Sequence, residues 1–201
     1  MVKADCGGCE GCSRCCHGMG KSIILDPYDV YRMTTGMGKS MQELLAASVE
    51  LNVVDGVILP NLKMQGAEEA CAYLDGRGRC SIHPYRPGIC RLFPLGRYYE
   101  NGGFSYFLQT GECAKENRSK IKVSKWIDTP DLTRNQQFIL QWHDLLHAME
   151  ERLTGEDEGK QREENLLLLR LFYLLPYEGT IDFYTQFTER MEHWNGQNGQ
   201  I

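Results

Sequence analysis

The chain has 201 residues, 42% of them hydrophobic and 24% charged, which is ordinary globular composition and enough to bury a core. Its formal net charge of -5 argues against a nucleic-acid binder, which needs a basic surface to neutralise phosphates. No apolar run reaches the roughly 18 residues that a membrane span requires, and residues 1–6 show no apolar stretch of the signal-peptide kind, so the expected location is the cytoplasm.

In chain order, Asp26-Pro27 predicts a helix start, with an apolar side from Tyr28, Val30, Tyr31 and Met33 and a stop at Gly36. Ser40-Met41-Gln42-Glu43 reads as a capping box in front of Leu44 and Leu45. The β-branched run from Val53 to Leu59 predicts a strand. Asp75-Gly76 predicts a tight hairpin across 72–82, and Asn101-Gly102-Gly103 a second one across 98–108. From Thr129-Pro130 the spacing turns helical: Leu132, Ile139, Trp142, Leu146, Met149 and Leu153 share a face that ends at Thr154-Gly155. Residues 156–164 read as an exposed charged stretch, 166–175 as a buried helix closed by Pro176, and Tyr184, Phe187, Met191 and Trp194 as a last amphipathic face before a fraying tail. The expected fold is α+β: a small, irregular, cysteine-rich metal-binding region with short hairpins, packed on a C-terminal helical bundle. We expect a single domain over 1–201, with the cysteine-rich part at 1–115 and the helical part at 129–195.

Cysteine placement carries the chemistry. Five of the nine cysteines fall within 6–16, the others stand at 71, 80, 90 and 113, and none follows. In a reducing compartment such a cluster points to metal ligation or thiol chemistry rather than disulfides. Soft thiolates select zinc, copper(I) or iron–sulfur clusters over hard cations. Cys6, Cys9, Cys12 and Cys16 reproduce the bacterial ferredoxin spacing, with His17 where that pattern has proline. Cys15 is then left beside Cys16; adjacent cysteines do not easily serve one metal, but could serve two neighbouring centres. Cys71, Cys80, Cys90 and Cys113 fit no simple zinc ribbon and suit ligands gathered by the fold. His17 and His83 are the candidate imidazoles. Arg86 and Arg91 would favour an anionic thiolate site, and together with His83 they are the candidate cofactor-contacting residues. Tyr85 or Phe93 could give aromatic cover.

Two stretches carry a resemblance. Cys9-Glu10-Gly11-Cys12-Ser13-Arg14-Cys15-Cys16 matches a CxxCxxCC signature, and Cys80-Ser81-Ile82-His83-Pro84-Tyr85-Arg86-Pro87-Gly88-Ile89-Cys90-Arg91-Leu92-Phe93-Pro94 resembles a second signature of the same proteins. They are the YkgJ-like cysteine cluster family of zinc- or iron-chelating domains, and the resemblance runs over 9–113. It implies a metal-cluster protein with no assigned reaction. The first expectation is an iron–sulfur protein, with a [4Fe–4S] cluster and a redox or cluster-dependent role. The alternatives are a zinc-stabilised structural or protein-interaction module, and a thiol redox or metal-handling protein. The expected partner is a protein or electron-transfer partner, with no nucleic acid and no membrane. Two weaker signals read as decoys: the paired strings Gly18–Ser22 and Gly36–Ser40 lack the glycine and strand of a phosphate loop, and His143, His147 and Glu151 read as a polar helix face.

Overall fold

The computed structural model describes residues 1–5, 7, 12–115 and 117–198. Its architecture is α+β, with short antiparallel hairpins packed against C-terminal helices. Strand β1 (Val2–Asp5) pairs with β8 (Ser119–Ile121), so the start of the chain closes against residues more than a hundred positions later. Nothing in the sequence reading foresaw that pair, nor the short helix α4 (Val123–Ile127) that follows it.

Helix α1 (Pro27–Met37) begins as read. Asp26 accepts from the Asp29 N–H and the Asp29 carboxylate accepts from the Asp26 N–H, a reciprocal cap, with Pro27 at the first turn. The helix runs through Gly36 and ends at Gly38, in the left-handed conformation glycine tolerates. Helix α2 (Met41–Ala47) carries the expected Ser40–Glu43 box. The second Gly-Lys-Ser string is therefore the end of one helix and the cap of the next.

The single strand expected at Val53–Leu59 is a hairpin instead: β2 (Val49–Val54) pairs in register with β3 (Val57–Leu62). Asp55 and Gly56 both take positive φ, 51° and 82°, which is the backbone of a tight two-residue hairpin turn. The apolar pattern hid an Asp-Gly turn inside the run. At 72–82 the expected tight hairpin is an irregular loop with one bridge. Only the Leu74–Cys80 bridge joins the two arms, and Asp75 Oδ1 closes the loop by accepting from the Arg77 and Arg79 N–H groups at 2.9 Å each. Cys71 lies in β5 (Ala70–Cys71), paired with β4 (Met64–Gln65). After α3 (Gly88–Leu92), the hairpin of β6 (Leu95–Glu100) and β7 (Gly103–Leu108) turns at Asn101-Gly102 as expected.

Helix α5 (Leu132–Leu153) keeps its predicted face, with Ile139, Trp142, Met149 and Leu153 buried. The stretch 156–164, expected to be exposed, supplies the start of α6 (Glu158–Leu169). Glu164 and Asn165 are buried there: Arg152 pairs with Glu164 at 2.7 Å, and Asn165 accepts from the Ile58 N–H at 2.6 Å. The run 166–175, expected to be a buried helix, exposes Leu166, Leu174 and Leu175, and closes through a π-helical turn at Arg170–Leu174. Helix α7 (Phe183–Asn198) buries Phe187 and Trp194. The tail expected to fray from Asn195 instead continues α7 through Asn198, and residues 199–201 lie outside the described residues.

The main core joins both parts of the chain. Leu25, Met33, Leu44 and Leu62 pack in one cluster with Phe138, Met149, Phe172 and Phe187. The Tyr28 ring of α1 lies 4.9 Å from Phe183 of α7. A smaller cluster of Leu92, Leu95 and Ile127 sits under Trp126, whose indole N–H donates to the Leu92 and Phe93 carbonyls.

Gly36 is a landing site. A Cβ there would overlap the Tyr85 ring, which lies on the helix backbone. Gly36→Ala gains up to ~1 kcal/mol of helix propensity but forces the ring off, an overpacking cost of about 1–3 kcal/mol. We expect net destabilisation in urea unfolding. In a Tyr85→Ala background the same substitution should be neutral or stabilising. Equal destabilisation in both backgrounds would refute the contact.

Candidate metal centre

Three local structures bring the thiols to one place. Cys15 and Cys16 lie in a 3-10 turn at Arg14–Cys16, closed by the Cys16 N–H on the Ser13 carbonyl at 2.8 Å. The next two residues dock on the β5 segment, His17 bridging to Ala70 and the Gly18 N–H donating to the Glu69 carbonyl at 3.0 Å. That docking sets the turn beside Cys71. Cys80 follows the loop closed by Asp75, and the Ser81 N–H donates to the Tyr73 carbonyl at 2.8 Å.

The segment from His83 to Leu92 hangs from α1. Arg32 donates to the Pro84 carbonyl, Tyr85 lies on Gly36, and Asp29 Oδ1 accepts from the Gly88 N–H at 2.6 Å. Pro87 precedes α3, which presents Cys90.

Cys12, Cys15, Cys16, Cys71, Cys80 and Cys90 all line one cavity of about 250 Å³. The rest of its wall is mainly apolar, with Met19, Leu62, Met64, Ile82 and Phe93 among the residues, and it contains no carboxylate. Arg79, His83 and Arg86 also line it. Cys113 does not. It lines a second, smaller space of about 30 Å³ to which Cys12, Cys15 and Phe93 also belong. Cys6 and Cys9 lie outside the described residues.

The other candidates divide. Arg86 donates to His83 Nε2 at 2.7 Å, and both face the cavity. Arg91 lies behind the wall, buried, 3.9 Å from Asp29 and hydrogen-bonded to Thr129 at 2.6 Å. Phe93 covers the cavity while Tyr85 is taken by α1. His17 contacts Ser13 and the Glu68 carbonyl, each at 3.4 Å. His143 stacks on Tyr99 with ring centroids 3.9 Å apart, and His147 sits 3.6 Å from Glu151 on an exposed surface. Sequence reasoning passed over Asp29 and Arg79. Nothing local in the sequence marks Asp29 as the acceptor of the Gly88 N–H. Arg79 could have been picked out as the cation next to Cys80.

The thiols act on one another. Cys15 is held down to about 6, chiefly by its hydrogen bond with the Cys16 thiol, which correspondingly keeps its proton. Burial pushes Cys71, Cys80 and Cys90 up, and each is raised further by neighbouring thiols. Six soft donors facing one space without a carboxylate suit zinc, copper(I) or an iron–sulfur cluster and do not suit a hard cation. A bound cation would relieve the mutual repulsion of the thiolates. Among the described residues, no three His, Cys, Asp or Glu side chains converge closely enough to hold a single ion. The donors ring the space instead of meeting at a point.

The family model described as "CxxCxxCC: Putative zinc- or iron-chelating domain" matches residues 8–120, more than half of the 201-residue chain. No curated protein and no solved structure matches the chain.

Proposed function

Because the chain belongs to the CxxCxxCC family of zinc- or iron-chelating domains, we propose that its cysteine-lined cavity holds an iron–sulfur cluster with a redox or cluster-dependent role. One observation carries the reading: six cysteines, from the first signature, β5 and the second signature, line one largely apolar cavity of about 250 Å³. A single zinc ion needs four donors about 2.3 Å from one point. A cluster brings its own bridging sulfides and meets thiolates spread around a larger space. The residues that would hold it come from Cys12, Cys15, Cys16, Cys71, Cys80 and Cys90, with Cys6, Cys9 and Cys113 as the remaining candidates. The group would supply one-electron chemistry or a Lewis-acidic iron.

The chain's own residues have separate tasks in this reading. The apolar wall keeps water from the thiolates. Arg86, within electrostatic reach of Cys15 and Cys80, offsets their negative charge. Asp29 and Arg32 fix the second signature against α1. No helix in the described residues is long and apolar enough to cross a membrane. A protein or electron-transfer partner in a cytoplasmic setting is part of the proposal.

The test is anaerobic purification followed by metal analysis, acid-labile sulfide and a visible spectrum. We expect iron and sulfide in near-equal amounts, with broad absorption near ~400 nm that bleaches in air. Zinc with no sulfide overturns the cluster and leaves a zinc-stabilised module, which chelation would unfold.

A further inference from the structure

We propose that Arg79, His83 and Arg86 form an anion-binding rim that holds a carboxylate or phosphate group of a small substrate at the cysteine-lined cavity. Its place beside a reacting centre rests on the function proposed above; anion binding itself does not.

The cavity differs in charge from the rest of the chain. The chain as a whole is acidic, yet the cavity is lined by two arginines and a histidine and by no Asp or Glu. Among the described residues, neither Arg79 nor Arg86 takes part in an ion pair. Asp75 lies within electrostatic reach of Arg79, but its Oδ1 accepts the Arg77 and Arg79 backbone N–H groups. Unpaired guanidinium groups next to an apolar pocket are suited to planar, two-pronged recognition of carboxylate or phosphate.

The histidine sharpens the picture. A guanidinium can only donate, so the 2.7 Å contact makes His83 Nε2 an acceptor. The ring is then neutral, with its proton on Nδ1. Burial and the charges of Arg86 and Arg79 all favour that neutral form. Nδ1–H is left as a further donor with no protein partner among the described residues. Arg86 fixes the tautomer, and the rim offers two cations and one neutral donor.

Arg86 acts on Cys15 and Cys80, and Arg79, the more exposed of the two, acts on His83. An exposed cation lining a cavity, with no ion-pair partner among the described residues, is placed to meet an incoming ligand. The apolar walls suit the rest of a small organic molecule.

The experiment is calorimetric titration of the anaerobically purified full chain at low ionic strength, with inorganic pyrophosphate in one arm and succinate in the other. The two arms separate a phosphate-bearing from a carboxylate-bearing substrate. We expect at least one to bind with Kd below ~1 mM, in the range charge-assisted hydrogen bonds supply. Arg79→Gln should weaken that binding about 10-fold, while Arg77→Gln, at an exposed arginine that does not line the cavity, should weaken it less than about 2-fold. No binding by either anion below ~10 mM, or equal weakening by both variants, overturns the site. Metal and sulfide are measured on the same samples. Anion binding that follows this pattern in metal-free protein overturns the cluster and keeps the rim. Metal and sulfide without anion binding overturns the rim alone.

Discussion

A Cys90→Ser variant is expected to come off an anaerobic purification with its iron and sulfide largely lost and its thermal midpoint lowered. Cys90 sits on α3, on the wall of the cavity, where burial and the negative charges around it raise its thiol well above the ordinary value. A thiolate so disfavoured in the free protein is stabilised mainly by a bound cation, so metal and fold should be lost together. Binding free energy of a metal held by deprotonated thiols is folding free energy, on the order of 10 kcal/mol for structural zinc sites. Cys12→Ser should behave in the same way. Cys113→Ser is the informative comparison, because Cys113 lines only the smaller space. We expect it to retain metal. Full metal content in Cys90→Ser and Cys12→Ser, by metal analysis and sulfide assay, would remove the assignment.

The second large effect belongs to Asp29. Its carboxylate accepts the Gly88 N–H at 2.6 Å and the Asp26 N–H at 3.2 Å, and it is almost fully buried. Asp29→Ala leaves those donors without their acceptor and cuts the tie between α1 and the Cys90 segment. An unsatisfied buried donor costs about 1–3 kcal/mol, so a loss of roughly 3 kcal/mol in urea unfolding is expected, together with weaker metal retention. Asp29→Asn keeps an oxygen acceptor and should cost less.

The asparagine variant also reports on pH. Burial, and then the neighbouring Asp26 carboxylate, raise Asp29 to about 7. An unfolded aspartate titrates near ~3.9. Between those values the folded chain binds the proton more tightly than the unfolded chain. This contribution is therefore fully present below about pH 4 and is lost as pH rises through about 7. Between pH 5 and pH 8 Asp29 therefore lowers stability as pH rises, Asp26, which burial also raises, acts in the same direction, and Cys15, held down to about 6, acts in the opposite one. The slope of stability against pH in this window should be more negative in the parent protein than in Asp29→Asn, where the other two contributions remain. Equal slopes in the two proteins, measured by denaturant unfolding, would show that Asp29 does not titrate in this window.

Local signals in the sequence were readable where one segment decides its own conformation. The Asp26-Pro27 helix start, the Ser40–Glu43 cap, the Asn101-Gly102 turn and the long α5 face all depend on neighbours in sequence. The Val53–Leu59 run failed because β-branched residues on both sides of Asp55-Gly56 made two strands look like one. The charged stretch 156–164 is largely exposed as read, and departs from the reading at Glu164, which Arg152, distant in sequence, holds in the interior. At the candidate site, the cysteine spacing and the second signature singled out Cys12, Cys15, Cys16, Cys71, Cys80 and Cys90, which line one space. Their spacing could not show that Arg91 turns away to Asp29 while Arg79 faces the cavity. Those are differences of side-chain direction between neighbouring positions, set by α1 and by the Asp75 loop.

The tie between Tyr28 and Phe183 has a consequence for where this protein can be cut. The cysteine pattern ends by residue 120, yet α1, from which the second signature hangs, is packed against α7. A fragment trimmed to residues 8–120 would keep eight of the nine cysteines and lose the backing of the helix that holds them in place. The stretch of chain that carries the motif is shorter than the stretch that gives the motif its shape.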